Sequence, residues 1–210
     1  MLDPHFVFLG AAIGLTGSVA YAIATIRGRI APNRVTWILW AAAPLIGFFA
    51  QLDSGVGLPA VMTLCVGVGP LLVVIASFIG AASPPRVTVF DLLCAGISVL
   101  AIVLWLTLDQ PVLAVVCSVL ADAAGALPTY RKAWRQPRSE TPLMYACFGA
   151  NGTITLLTIS TWSVEQWAFP VWITVLGASM VLLLALRRRA LDRRSTRDQA
   201  STAGTSATAI

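Results

Sequence analysis

The sequence is poor in charge. Only 11% of its 210 residues are Asp, Glu, Lys or Arg, while 58% are hydrophobic. An average soluble domain has about 25% charged residues. A chain with so few charges cannot cover its surface for water, which excludes an ordinary soluble domain and indicates an integral protein of the lipid bilayer.

The sequence also has a single histidine, a single lysine and no closely spaced pair of cysteines. The single histidine, His5, and the lack of an HExxH motif or a Ser/His pair argue against an intramembrane enzyme. We therefore predict no enzymatic activity, no metal and no cofactor. The four cysteines form no CxxC pair, so they are expected to be small apolar packing residues. The only lysine, Lys132, lies in a connector, which excludes a protein that holds retinal on a lysine of its seventh span.

Long apolar stretches fill most of the chain. Seven of them are long enough to cross about 30 Å of hydrocarbon as helices. They cover residues 6–26, 35–52, 58–80, 88–108, 112–130, 142–161 and 167–187. The start, "MLDPHF", has an acid and no cation, so we expect a retained first span rather than a cleaved signal peptide. The prediction is an all-α integral membrane protein with seven transmembrane helices.

The connectors between these spans alternate in charge. Those after spans two, four and six carry the acids Asp53, Asp109 and Glu165 and no cation. Those after spans one, three, five and seven carry arginines and Lys132. Positive connectors remain in the cytoplasm, which predicts an outside N-terminus and a cytoplasmic C-terminus in a bacterial plasma membrane. This placement also argues against nucleic acid as a partner.

The basic connectors and the C-terminal residues have further expected roles. The clusters anchor the topology; alternatively, they pair with Glu140 and form a cytoplasmic gate. Residues 189–210 are rich in Arg and then in Ser, Thr and Ala, without apolar periodicity, so we predict a disordered cytoplasmic tail. Asn33 and Ser139 are predicted to cap spans two and six.

Spans one to three resemble spans five to seven. Aligned pairs are Gly14 with Ser118, Ser18 with Asp122, Thr25 with Thr129, Arg27 with Arg131, Pro32 with Pro137, Thr36 with Thr141, Trp40 with Tyr145, Pro59 with Pro170 and Thr63 with Thr174. An odd span between the copies gives both the same orientation, so the repeats are predicted to be parallel. The expected units are residues 1–82, a linker helix at 83–109, and residues 110–188.

The stretches "ALPTYRKAW" and "RQPRSETP" carry a family resemblance. With the three-plus-one-plus-three arrangement, they resemble the SWEET and PQ-loop transporter superfamily, with Pro128 and Thr129 where the family has Pro-Gln. The first copy has Ala24 and Thr25 there, and spans three and seven lack the asparagine of the sugar-transporting members. The resemblance covers residues 6–187.

The resemblance implies two three-helix bundles that rock around a central path for a small-molecule substrate, either a sugar or an amino-acid-like metabolite. Prolines within the spans supply bending points, because each removes a backbone hydrogen bond. Pro44, Pro70 and Pro128 are the candidate hinges; the alternative is that they are static kinks.

Asp122 is the acid deepest in a predicted span. A charge at the centre of a bilayer costs at least about 2.5–3.5 kcal/mol, so its carboxyl group is neutral, paired or in contact with water. Ser118, Asp122 and Thr129 share one helix face, and Ser18, Tyr21 and Thr25 share the matching face of span one. We expect these faces to line a proton or substrate path. PQ-loop exporters of the cystine type couple protons through embedded aspartates, which implies the same role here. The alternative is a structural hydrogen bond between helices.

Further candidates lie on spans two and six. Asn151 is expected to contact substrate or to bridge two helices, and Trp40 and Tyr145 to line a pocket or to lie at the membrane interface. The other tryptophans considered are interfacial by expectation: Trp37, Trp105, Trp162 and Trp167. The GxxxG formed by Gly10 and Gly14 is expected to pack span one within the first bundle; it is also compatible with a homo-oligomer.

Two functional classes remain open on the sequence. One is a small-molecule transporter, and the other is a non-transporting membrane protein of the same fold, such as a receptor, sensor or assembly factor. A central cavity lined by Asp122, Ser18 and Asn151 would favour transport. A tightly packed interior would favour the second class.

Overall fold

A computed structural model describes residues 2–53, 59–81, 83, 85–107, 111–159 and 162–207. Over these residues it contains seven α-helices, one 3-10 turn and no strand. The helices are α1 (Phe6–Ile26), α2 (Arg34–Asp53), α3 (Pro59–Ile79), α4 (Val89–Thr107), α5 (Pro111–Arg135), α6 (Pro142–Thr158) and α7 (Val164–Ala207), and the turn is Pro137–Ser139. The predicted all-α class and the number of helices are confirmed.

Most helix ends agree with the predicted spans within a few residues, because turn residues and prolines mark them. Pro59, Pro111 and Pro142 each begin a helix, where a missing N–H costs nothing. Asn33 caps α2: its side-chain oxygen accepts hydrogen bonds from the backbone N–H groups of Val35 and Thr36, at 3.0 and 3.4 Å. The predicted Ser139 cap is wrong, because that hydroxyl donates to the Gln136 carbonyl oxygen instead.

The last helix differs most from its prediction. α7 continues past the expected end at residue 187 to Ala207, where we expected a disordered tail over 189–210. Arg, Leu and Ala are strong helix formers, and neither Gly nor Pro interrupts the chain between Leu182 and Ala203, so local propensity favours continuation. The last three residues and the predicted unit boundaries at 82 and 109 lie outside the described residues.

The helices form two groups of three. In the first group α3 packs against both α1 and α2, and in the second α7 packs against both α5 and α6. Among the described residues, the backbones of α1 and α2 do not pack against each other, nor do those of α5 and α6. The groups meet through α1 with α6 and α2 with α5, while α4 packs against α5 and α2. Each group thus has its third helix in the middle, and the contacts between the groups are reciprocal.

Contacts along the helices give their relative directions. Ser18 and Thr25 of α1 lie beside Gly69 of α3 and Gly80, which directly follows α3, so these two helices are parallel. Thr36 and Trp40 of α2 contact Thr129 and Asp122 of α5 in reverse order, so α2 and α5 are antiparallel. The pairs α2 with α3 and α6 with α7 are also antiparallel, which places α1, α3, α5 and α7 in one direction and α2 and α6 in the other.

One end of the bundle collects the basic connectors, and we call it the basic end. The backbone N–H of Ala31, in the α1–α2 connector, donates to the carbonyl oxygen of Ser139, in the α5–α6 connector. Arg131 reaches Thr88 before α4, and Arg188 of α7 reaches the Pro137 carbonyl oxygen. The basic connectors of the sequence therefore lie together in space.

The outer surface is strongly apolar. Along α4, Val89, Leu92, Leu93 and Leu100 are each 59–73% exposed. Among the described residues, Phe6–Ile26 and Gln166–Arg193 are long and apolar enough to cross a membrane, and the apolar parts of α2, α3 and α4 are shorter. A membrane protein is therefore weakly supported by helix length alone.

Candidate functional site: a cavity between the two helix groups

A cavity of about 410 Å³ lies between the two groups. All six helices of the groups contribute to its wall, and none of its lining residues comes from the described part of α4. The wall runs from Val7 and Phe169, near the N-termini of α1 and α7, to Trp40 and Leu176. Its volume lies in the usual range of small-molecule sites, about 300–1,000 Å³.

Asp122 of α5 lies in the wall of this cavity. Its Oδ2 accepts a hydrogen bond of 2.6 Å from the indole N–H of Trp172 on α7. The indole N–H of Trp40 on α2 donates a weaker bond of 3.4 Å to the backbone carbonyl of Asp122. Helices of both groups thus fix this residue, and its carboxyl group has a neutral partner rather than a cation.

The other polar residues predicted on the path and found in the wall are Ser18, Ser118 and Asn151. Ser18 donates its hydroxyl proton to the carbonyl oxygen of Gly14, at 3.1 Å, and Ser118 donates to that of Val115, at 3.2 Å. The side-chain oxygen of Asn151 is buried without a hydrogen-bond partner among the described residues. Both hydroxyl protons are therefore used within their own helices.

Glycines of α1 make room for Asn151. A Cβ at Gly10 would lie 2.6 Å from its side-chain oxygen, and one at Gly14 would lie 3.5 Å from its side-chain nitrogen. Because Asn151 belongs to α6, the GxxxG motif packs across the two groups, and the expectation of packing within the first bundle is wrong. The small residues allow an amide to reach the cavity from the opposite group.

Four predicted path residues lie outside the cavity wall, toward the basic end. Tyr21, Thr25, Thr129 and Tyr145 are all at most 2% exposed. Thr129 donates to the hydroxyl of Thr36 on α2 at 3.0 Å, and Thr25 donates to the Tyr21 carbonyl oxygen. Each is buried among packed side chains, and none lines the cavity.

A buried ion pair organises this closed region. Glu140 pairs with Lys132, and its Oε2 accepts hydrogen bonds from Tyr21 and Tyr145 at 2.7 and 2.9 Å. Lys132 also donates to the backbone carbonyl of Ala31. The pair proposed from the sequence as an alternative role for a basic cluster is present. Residues of α1, α5 and α6 meet in it.

Prolines and tryptophans divide between cavity and core. Pro44 and Pro70 line the cavity, whereas Pro128 is buried in α5 away from its wall.

Trp37 is fully buried, with its ring 4.6 Å from Tyr21 and 5.3 Å from Trp40, so its interfacial assignment is wrong. An aromatic cluster, rather than the membrane surface, accounts for its position. Trp162 is exposed and Trp167 partly buried; the Trp105 side chain lies outside the described residues.

Sequence reasoning missed Trp172 and Phe148. Trp172 lies in "PVWITVLGA", the stretch aligned with the first copy, so its repeat position offered a signal. Phe148 lines the cavity and meets Trp40 edge to face, with ring centroids 6.1 Å apart. Its only sequence signal is its place three residues before Asn151 on the same helix face.

No protein-family model matches the chain, and no curated protein or solved structure matches it. The cavity and the buried ion pair are therefore the features on which a function rests.

Proposed function

We propose that this chain is an integral membrane protein that transports a small molecule by alternating access, in the manner of the SWEET and PQ-loop superfamily. The observation that carries the proposal is the central cavity. Residues of both helix groups line it, among them Asp122, Ser18 and Asn151, while no described residue of α4 does. Sites between two bundles that move against each other are the arrangement expected for such transporters.

A membrane location is supported by the surface. An exposed apolar face such as that of α4 is costly in water and suits lipid. The basic end collects the positive connectors, which by the positive-inside rule faces the cytoplasm. Seven spans with an outside N-terminus follow from this orientation, although some of the individual helices are short.

A duplicated arrangement is supported by the reciprocal contacts. α1 and α5 run in the same direction, each beside the third helix of its own group and against the second helix of the other. Two parallel three-helix repeats joined by α4 would give these contacts. The linker helix then has no place in the transport path, in agreement with its absence from the cavity wall.

The basic end is closed by packed side chains, whereas the cavity lies toward the opposite end. The cavity wall begins near the N-termini of α1 and α7, at the end proposed to face outside. Toward the cytoplasm the path is filled by Tyr21, Tyr145, Thr36 and Thr129, each at most 1% exposed. These features support an outward-facing state for the proposed transporter, in which the Lys132–Glu140 pair would stabilise a cytoplasmic gate. Transport then requires this end to open as the outer end closes.

A metabolite screen in proteoliposomes tests the proposal. Liposomes containing the purified chain are loaded with a mixture of metabolites, and efflux is followed by mass spectrometry at pH 6 and pH 8. Val115→Trp places an indole in the cavity wall, and Val112→Trp places the same ring on the exposed side of α5. We expect at least one compound to leave faster through wild type and Val112→Trp than through Val115→Trp or empty liposomes.

The absence of efflux would contradict the proposal. If no compound leaves faster than from empty liposomes at either pH, the chain is not a transporter of this kind. The same cavity would then be a ligand site of a non-transporting receptor, sensor or assembly factor.

A further inference from the structure

We propose that the transported molecule is a small organic cation, a primary ammonium group on an apolar body, with Asp122 as its counter-ion. This inference rests on the proposed function and names the substrate class of the same cavity. It follows from three features of the wall: its charge, its hydrogen-bonding groups and its apolar rings.

The charge of the wall is one-sided. Asp122 is the only acidic residue in it, and no Lys, Arg or His of the described chain lines it. Its carboxyl group has a single side-chain partner there, the neutral indole N–H of Trp172. A carboxylate in a largely apolar cavity is stabilised by a nearby cation, and the described residues of the wall supply none. A bound cation would complete the pair.

The hydrogen-bonding groups point to a donor-rich ligand. The hydroxyls of Ser18, Ser118 and Thr155 donate their protons to backbone carbonyl oxygens of their own helices. Among these, Ser118 and Thr155 are partly exposed, and the lone pairs of their hydroxyl oxygens remain for a ligand. A primary ammonium group offers three N–H donors and no acceptor, which matches these hydroxyl oxygens and the Asp122 carboxylate.

The rest of the wall is apolar and aromatic. Trp40 and Phe148 pack edge to face in it, and Phe169 lies near its outer end. Aromatic faces attract cations, and they bury hydrocarbon. An anion would meet no positive group here, and a sugar would leave the apolar surface facing its hydroxyls. An amine with an alkyl or aryl body satisfies both parts of the wall.

Equilibrium binding to the purified chain in lipid nanodiscs tests this assignment. The probes are 2-phenylethylamine and n-hexylamine, with the matching alcohols and carboxylates, at pH 7 and with empty nanodiscs subtracted. We expect the amines to bind at least about tenfold more tightly than their alcohols, a difference of about 1.4 kcal/mol. The carboxylates should bind more weakly still.

Asp122→Asn separates charge from shape. It keeps an oxygen that can accept from Trp172 but removes the negative charge. We expect amine affinity to fall at least about tenfold and alcohol affinity to stay within about twofold. Val115→Trp should abolish binding of the amines, and Val112→Trp should preserve it.

The outcomes distinguish this inference from the proposed function. If alcohols bind as tightly as amines, Asp122 is neutral in the cavity and carries a proton instead, and the assignment is wrong. It is equally wrong if the carboxylates bind best or if Asp122→Asn binds amines normally. In each case, efflux of a neutral or anionic metabolite in the proteoliposome screen would leave transport itself standing.

Discussion

Trp172 of α7 donates its indole N–H to the Asp122 carboxyl group on α5 across 2.6 Å. The bond joins the first and third helices of one group at the cavity wall, and it fixes which way the carboxyl group faces. The residue that the sequence marks most strongly is thus positioned by one that the sequence argument did not select.

Loss of that bond should reduce transport. A hydrogen bond to a charged group contributes about 1.5–3 kcal/mol, so Trp172→Phe is expected to slow flux of the substrate about tenfold or more. Trp167→Phe, the same change on the same helix at a residue that does not bond to Asp122, is the control. In an Asp122→Asn background the effect of Trp172→Phe should shrink, because the two residues are coupled. Equal slowing in both backgrounds would show that Trp172 acts through packing alone.

The buried ion pair should dominate the stability of the basic end. Glu140→Gln leaves Lys132 buried without a counter-ion, which is expected to cost about 3–5 kcal/mol of unfolding free energy. The double variant Lys132→Met/Glu140→Gln removes both charges and keeps an acceptor for Tyr21 and Tyr145, so it should recover most of the loss. Thermal denaturation in detergent measures both.

An exposed ion pair provides the control for this prediction. Arg138 and Asp192 pair at 2.6 Å with side chains 74% and 61% exposed, so Arg138→Gln should cost less than about 1 kcal/mol. If the Glu140→Gln and Arg138→Gln variants have the same melting temperature, the buried pair does not dominate the stability of this end.

Gly10 should tolerate no side chain. Its Cβ would lie 2.6 Å from the Asn151 side-chain oxygen, and overpacking of this kind costs about 1–3 kcal/mol. Gly14→Ala on the same helix meets ordinary contacts at 3.5 Å and should be neutral or slightly stabilising. Asn151→Ala should rescue Gly10→Ala. If Gly10→Ala and Gly14→Ala have the same melting temperature, the Asn151 side chain does not lie against Gly10.

A thiol reagent should reach the two ends of the bundle from opposite sides of the membrane. With the native cysteines replaced by alanine, single cysteines at Asp3 and Arg29, both exposed, report the N-terminal end and the basic end. A membrane-impermeant maleimide should modify residue 3 in intact cells and residue 29 only after permeabilisation. The reverse pattern would invert the proposed orientation, and labelling of both in intact cells would exclude an odd number of crossings between them.

Hydropathy and turn residues were sufficient to predict the helices. α1 was predicted at residues 6–26 and occupies Phe6–Ile26, since His5 and the arginines at 27 and 29 bound the apolar run sharply. The extension of α7 was not predictable in this way, because absence of apolar periodicity does not prevent a run of good helix formers from remaining helical.

The sequence predicted which site residues share a helix face, but not which residues touch each other across helices. Spacing placed Ser118 and Asp122 on one side of a helix, and repeat alignment matched Ser18 to Asp122; all three line the cavity. Spacing cannot tell how two helices are shifted against each other. It therefore missed that Tyr21 meets Glu140, 119 residues away, and that Gly10 faces α6.

Locking the closed end tests alternating access most directly. Thr36 of α2 and Thr129 of α5 come from different helix groups, and their hydroxyl oxygens are 3.0 Å apart. In a background without native cysteines, Thr36→Cys/Thr129→Cys should form a disulfide on oxidation. We predict that oxidation stops efflux of the metabolite found in the screen and that reduction restores it. Efflux at the same rate with the disulfide formed would show that the basic end need not open, and would contradict the account.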